Sequence, residues 1–243
     1  MQGRSSEIPK LRQERTLGDI VGDAFTILFS DLPVLAKLVA PAVLVGIAGS
    51  LVVYGVGSDD ENLATAILYI ELPILLVAFQ VVSAAVIARL NARDQGRELD
   101  SGDALDLAQE KFGDVVTASL RSTAIVFLLS ATVIGLPWAI KRLVKWAFIV
   151  QSIVVDGQTS ETALSYSESM VQGRWWITFG RIVACALILL LPAAILSQAI
   201  SAIVPGVLGV IASHATDFVT LPFGMITSTL IFFDLKLRKG PAV

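Results

Sequence analysis

The chain has 243 residues, of which 55% are hydrophobic and only 16% charged, against about 25% charged in a typical soluble domain. Its net charge of −3 is spread out with no basic block, which excludes a nucleic-acid-binding class. A single cysteine, Cys185, and a single histidine, His214, exclude an internal disulfide, a thiolate cluster and a His-rich metal site.

The apolar residues fall in long runs, and a mostly apolar stretch of about 18 or more residues reads as a membrane helix. The pattern predicts an all-α, polytopic membrane helical bundle. A polar tail, 1–16, has no h-region and cleavage site of a signal peptide. It precedes one membrane domain, 17–239, with six transmembrane helices. Predicted spans are 32–56, 64–90, 115–137, 138–155, 176–201 and 215–235. Lys141, Arg142 and Lys145 interrupt the fourth, and the turn at Gly135-Leu136-Pro137 before it is tight. The rival reading makes 118–155 a re-entrant or interfacial hairpin.

Amphipathic interfacial helices are predicted before helices 1, 3 and 5, at 17–29, 102–113 and 161–172, as three units of interfacial helix plus hairpin. Ile20, Val21, Ala24, Phe25 and Leu28 share one helical face of the first. Thr16-x-x-Asp19 has the form of a capping box, and Ser101 and Ser160 are the expected caps of the other two. Pro41, Pro73, Pro192 and Pro222 lie inside spans, where neighbouring groups satisfy the freed carbonyls. Gly46-x-x-x-Ser50 and Ala84-x-x-x-Ala88 offer small faces for close helix packing.

Lys and Arg cluster in the tail, in the loop after helix 2, at Arg174 and at Lys236, Arg238 and Lys239, while 57–63 and 202–214 have none. Both termini are therefore expected in the cytoplasm, with the Lys141 cluster as the exception. Charges inside spans are costly and face the bundle interior or reach the interface. Lys37, Arg121 and Arg181 share a shallow cytoplasmic-leaflet depth, with Asp156 and Asp234 near the same boundary. Together with Arg174 they are candidates for anionic lipid headgroups. Glu71, Arg142 and Lys145 share an outer-leaflet depth and are candidates for an intramembrane ion pair.

The stretch 161–181, ETALSYSESMVQGRWWITFGR, carries an Ala-Leu-x-x-Ser run leading to a Gly-x-x-Trp segment. It resembles a signature of the glycerophosphoryl diester phosphodiesterase membrane-domain family and the related domain-of-unknown-function 975 group of prokaryotic six-helix membrane proteins. The Phe232-Phe233-Asp234-Leu235-Lys236 ending and the opening LGDIVGDAFTILF at 17–29 are similar to theirs, with Lys236 where an Arg is usual. The resemblance implies a fold and a membrane location and carries over no catalytic residue.

The sequence carries few catalytic signatures. No Gly-x-Ser-x-Gly elbow or phosphate loop is present, and a Ser-His-Asp relay would have to use His214. The expectation is a non-enzymatic protein of the cell membrane, without cofactor or metal. Its partners would be membrane lipids and other membrane proteins, at the cytoplasmic leaflet. The alternative is a transporter or channel using a charged intramembrane cavity.

Overall fold

The computed structural model describes the backbone of residues 9–56 and 61–239, and the side chains of residues 9–55 and 74–239. Among these residues all regular structure is helical, in ten α-helices and one 3-10 turn. Five stretches are long and apolar enough to cross a bilayer, namely Leu17–Gly55, Ile74–Asp94, Phe112–Ser130, Trp175–Ile203 and Val207–Lys239.

Helix α1 (Leu17–Val56) has 40 residues and is about 60 Å long, twice a hydrocarbon core. The predicted interfacial helix 17–29 and the predicted span 32–56 are thus one continuous helix. Thr16 and Asp19 open it as a reciprocal cap: the Thr16 N–H and hydroxyl donate to Asp19 Oδ2 at 2.9 and 2.7 Å, and Asp19 N–H donates to Thr16 Oγ1 at 3.3 Å. The apolar face of 17–29 is covered by protein. Ile20, Ala24 and Leu28 are buried, and the Phe25 ring packs tilted against Phe223, with centroids 4.7 Å apart.

Helix α2 (Glu61–Asp94) returns antiparallel to α1, because Arg12 just before α1 pairs with Asp94 at its end. Pro73 lies outside the residues whose side chains are described. Helix α3 (Ser101–Glu110) buries Ala104 and Ala108, and its cap is Asp100, which accepts the Asp103 N–H at 2.8 Å, instead of the expected Ser101.

Helix α4 (Phe112–Ser130) has 19 residues. The expected single span over 138–155 is instead two helices, α5 (Leu136–Lys145) and α6 (Ile149–Asp156), separated at Trp146–Phe148. The break follows the basic turn that carries Lys141, Arg142 and Lys145. Ser160 N–H donates to Asp114 Oδ1 at 2.7 Å, so the chain comes back to the end from which α4 started.

Helix α7 (Ala163–Val171) starts three residues after Ser160, which caps nothing, and buries Leu164, Met170 and Val171. The long α8 (Trp175–Ile203) turns most of its apolar surface outward, Leu187, Leu191 and Ile195 among it. Short α9 (Val207–Ser213) and a 3-10 turn (His214–Thr216) lead into α10 (Asp217–Lys239), the central helix, buried over most of its length against α1, α2 and α8.

One end of the bundle, here the terminal end, therefore gathers residues 10–15, Asp94, Asp114, Arg181 and 234–239. The far end gathers Ser50 and His214–Asp217. From Asp217 to Asp234 along α10 is 17 residues, about 26 Å, close to a hydrocarbon thickness.

Candidate functional site

The terminal end is organised around Asp234. It lies on α10 between buried Phe233 and Leu235 and is itself fully buried. A carboxylate there is costly unless every lone pair is used. Arg15 N–H donates to it at 2.7 Å, Arg238 Nε donates to both oxygens at 2.9 Å, and Arg181 forms a close ion pair with it. Arg181 also donates to the Arg15 carbonyl at 2.7 Å. The peptide of residue 15 is thus held on both sides.

The Arg15 side chain points the other way and is fully buried. Its Nε donates to Asp23 at 2.8 Å, and its terminal nitrogens donate to the carbonyls of Lys10, Leu11 and Gln13. Glu14 pairs with Arg238 at 3.2 Å. The described part of the polar segment 1–16 is therefore anchored to the bundle through buried Arg15 and Leu11, while Lys10, Arg12, Gln13 and Glu14 stay exposed.

Two further clusters flank this one. Asp31 on α1 accepts from Arg93 at 2.6 Å and Arg89 at 3.4 Å, both from α2. Asp156 accepts from Tyr166 at 2.9 Å and pairs with Lys236. Burial, then the hydrogen bond to Asp156, pushes the Tyr166 phenol up to about 12, so it stays a donor at any physiological pH.

Glu168 on α7 pairs with Arg142 at 3.1 Å and with Lys145. Ser169, its neighbour, takes the Lys239 ammonium at 3.0 Å. Arg142 and Lys145 therefore belong to the terminal side of the molecule, although their spacing in the sequence suggests the opposite leaflet. The side chain of Glu71, their expected partner, lies outside the described residues.

The Lys145 hydrogen bond, reinforced by the charges of Lys145 and Arg142, lowers the Glu168 pKa from its ordinary 4.5. A depressed folded value contributes stability that is present above the unfolded pKa and lost as pH falls through the folded one. Glu168→Gln should therefore flatten the acid side of a melting-temperature profile below about pH 4.5. At neutral pH it should cost under about 1 kcal/mol, since the carboxylate is over a third exposed. Superimposable acid limbs for the two proteins would remove Glu168 from the acid response.

Of the four headgroup candidates, Arg181 is consumed by Asp234, and Arg174 donates to the Arg238 carbonyl at 3.3 Å. Lys37 and Arg121 are exposed and have no ion-pair partner among the described residues. Among those residues no three His, Cys, Asp or Glu side chains gather at one point.

At the far end His214 Nδ1 meets Asp217 Oδ2 at 2.6 Å, and its Nε2 meets Ser50 Oγ at 3.0 Å. The imidazole packs over Gly46, where an added Cβ would touch its Cε1 at 3.5 Å. The small stripe Gly46-x-x-x-Ser50 thus receives the histidine that precedes α10. The order Ser-His-Asp is that of nucleophile activation. Ser50 sits inside α1, however, and the adjoining cavity of about 380 Å³ is lined by Ala42, Val43, Leu75, Leu76, Phe79 and Leu221 beside Gly46, His214 and Asp217. Those apolar side chains offer no donor for an oxyanion, and the contact fastens α1 to α10.

The sequence places Asp234 near a span boundary and within the Phe232-Phe233-Asp234-Leu235-Lys236 ending, with no partner assigned, and Arg15 counts there only toward orientation. An Asp set inside the apolar run 230–235 is the local signal for the hub. Nothing local to Arg15 distinguishes it from Arg12. No protein-family model, no curated protein and no solved structure matches the chain.

Proposed function

We propose that the chain is a non-enzymatic, multi-pass protein of the cell membrane that collects anionic lipid headgroups around its terminal end, which faces the cytoplasm. The observation that carries this reading is the contrast between Lys37 and Arg121, which sit inside apolar helices, and six basic residues of the ion-pair layer. Arg15, Arg181, Arg238, Arg89, Arg93 and Lys236 are matched to carboxylates. Lys37 and Arg121 sit in apolar helices, exposed and without a described carboxylate.

Lys37 lies six residues beyond Asp31 and Arg121 seven beyond Asp114, so each is roughly 10 Å beyond the ion-pair layer along its helix. A cation at that depth snorkels toward phosphate rather than remaining in hydrocarbon. Each such contact is worth about 1 kcal/mol, or roughly a fivefold preference for an anionic lipid. The clustering of Lys and Arg outside the spans favours the cytoplasmic side for this end. The return of the chain at Ser160 favours six crossings, with α5 and α6 together forming the sixth, as the resemblance of 161–181 to six-helix proteins also suggests. A charged transport cavity finds less support, because Arg142 and Lys145 are engaged by Glu168.

The test begins with orientation. An impermeant thiol reagent should label Lys239→Cys and Asp60→Cys from opposite sides, in a background carrying Cys185→Ala. The protein is then reconstituted in equimolar phosphatidylglycerol and phosphatidylcholine, and spin-labelled forms of each lipid report the immobilised fraction. Phosphatidylglycerol should be enriched over phosphatidylcholine several-fold, and the double variant Lys37→Gln/Arg121→Gln should lose most of that enrichment. Equal enrichment in the variant overturns the lipid reading, and labelling of both positions from one side overturns the topology.

A further inference from the structure

A second site lies where α5 and α6 part. The break at Trp146–Phe148 is patched by Ser167 of α7, whose hydroxyl donates to the Lys145 carbonyl at 2.8 Å and accepts the Phe148 N–H at 3.2 Å. Just past the break, a cavity of about 340 Å³ opens between α2, α4, α6 and α10. Its polar lining is Gln80 and Ser83 from α2, Ser119 and Ser122 from α4, Gln151 from α6 and Ser228 from α10. No Asp, Glu, Lys or Arg lines it. Ser228 is six residues short of Asp234, so the cavity lies about 9 Å inside the ion-pair layer, within the apolar part of the bundle.

Two hydroxyls of this cavity, those of Ser83 and Ser119, differ from most other buried hydroxyls, whereas Ser122 and Ser228 donate one turn back in their own helices, to the Ser119 and Met225 carbonyls at 2.9 Å each. Thr178, Thr227, Thr229 and Ser152 each donate to a carbonyl one turn back in their own helix. Ser83 and Ser119 are only 5% and 4% exposed, yet their hydroxyls have no hydrogen-bond partner among the described residues. Gln151, 3% exposed, places its amide N–H on Ser228 at 2.9 Å, which keeps its carbonyl oxygen for another donor. Helices interrupted beside a polar cavity inside a membrane bundle are a recurrent way of building a solute site. Polar atoms that face a cavity in this way call for partners that both donate and accept.

We propose that this cavity binds a small uncharged polyol, either free or as the glycerol unit of a neutral lipid. Vicinal hydroxyls each donate and accept, which matches serine hydroxyls and carboxamides arrayed on four helices. An ion would meet no opposite charge in the lining and would carry its full desolvation cost. The proposal needs the membrane setting but not the anionic headgroup contacts at Lys37 and Arg121, which lie on different side chains.

The test uses thiol chemistry in the full chain. Ser83→Cys and Ser119→Cys are each made with Cys185→Ala and reconstituted in phosphatidylcholine nanodiscs free of glycerol. Ser122→Cys replaces either variant whose melting temperature falls well below that of the parent. N-ethylmaleimide, which needs a hydrated thiol, should modify both positions. Glycerol, erythritol or mannitol should slow the reaction several-fold, while glycine betaine at equal osmolality leaves it unchanged. Slowing by dioleoylglycerol in the disc, but by none of the free polyols, assigns the site to a lipid. Two results overturn the proposal: thiols that do not react, and thiols that react at one rate whatever polyol or diacylglycerol is added, as in a void holding water only.

Discussion

Asp234→Asn should lower the unfolding temperature of the detergent-solubilised protein more than any other single change at the terminal end. The asparagine can still accept the Arg15 N–H, so that hydrogen bond is preserved. The charge is lost, and with it the counterion of Arg181, whose side chain is 13% exposed and pairs with no other carboxylate among the described residues. Arg238 retains Glu14 at 3.2 Å. Breaking a buried pair by removing one partner costs about 3–5 kcal/mol, because an uncompensated charge stays behind. Arg181→Met alone should cost less, since Arg238 and the Arg15 N–H still hold Asp234. The double variant should recover part of the loss, which is the non-additivity expected of residues in one network. Thermal unfolding of the three variants decides it. Additive losses, or an Asp234→Asn protein within about 1 kcal/mol of wild type, would mean the hub is not what joins residue 15 to α8 and α10.

The second large effect is expected at the α4–α5 turn. Gly135 is pressed against the end of α4: a Cβ built there would lie 1.9 Å from the Leu129 carbonyl oxygen and 2.8 Å from Thr132 Oγ1. Its N–H is also committed, to the Thr132 carbonyl and hydroxyl at 3.0 Å each. The obstructing oxygen belongs to backbone, so it cannot rotate away and the turn must open. Overpacking costs about 1–3 kcal/mol, and Gly135→Ala should fall at the top of that range or beyond it, with the α5 contacts to Glu168 loosened. Gly22→Ala makes the control. That glycine is exposed within α1 and an added Cβ would meet nothing within 4 Å, so alanine should stabilise by about 0.5–1 kcal/mol. Opposite signs for the two substitutions in one melting series confirm the steric account. A neutral Gly135→Ala rejects it.

Much of the architecture was present in the sequence because hydrocarbon imposes a strict length and polarity rule. Runs such as 182–203 cannot be stably solvated as anything but a membrane or fully buried helix, and their length alone announces it. The Thr16–Asp19 cap was legible for a different reason: both partners lie within one turn, so spacing specifies the contact. The helical nature of 101–110 and 163–171 was legible from their periodicity.

What spacing could not supply was the partner of a charge on another element. Arg15 and Asp234 are 219 residues apart, and Arg142 and Lys145 find Glu168 only because the helix predicted over 138–155 breaks at Trp146 and lets α7 reach α5. Counting residues inward from an assumed membrane face put Arg142 and Lys145 at the wrong end, since that arithmetic presumes a straight span. Likewise 17–29 reads as a surface helix from its stripe of Ile20, Ala24 and Leu28, because amphipathicity records that one face is covered but not by what. Lipid and the apolar side of α10 are chemically alike to such a stripe. The tertiary structure chose α10, and it chose which serines of the bundle would bond to their own helix and which, Ser83 and Ser119, would be left facing a shared cavity.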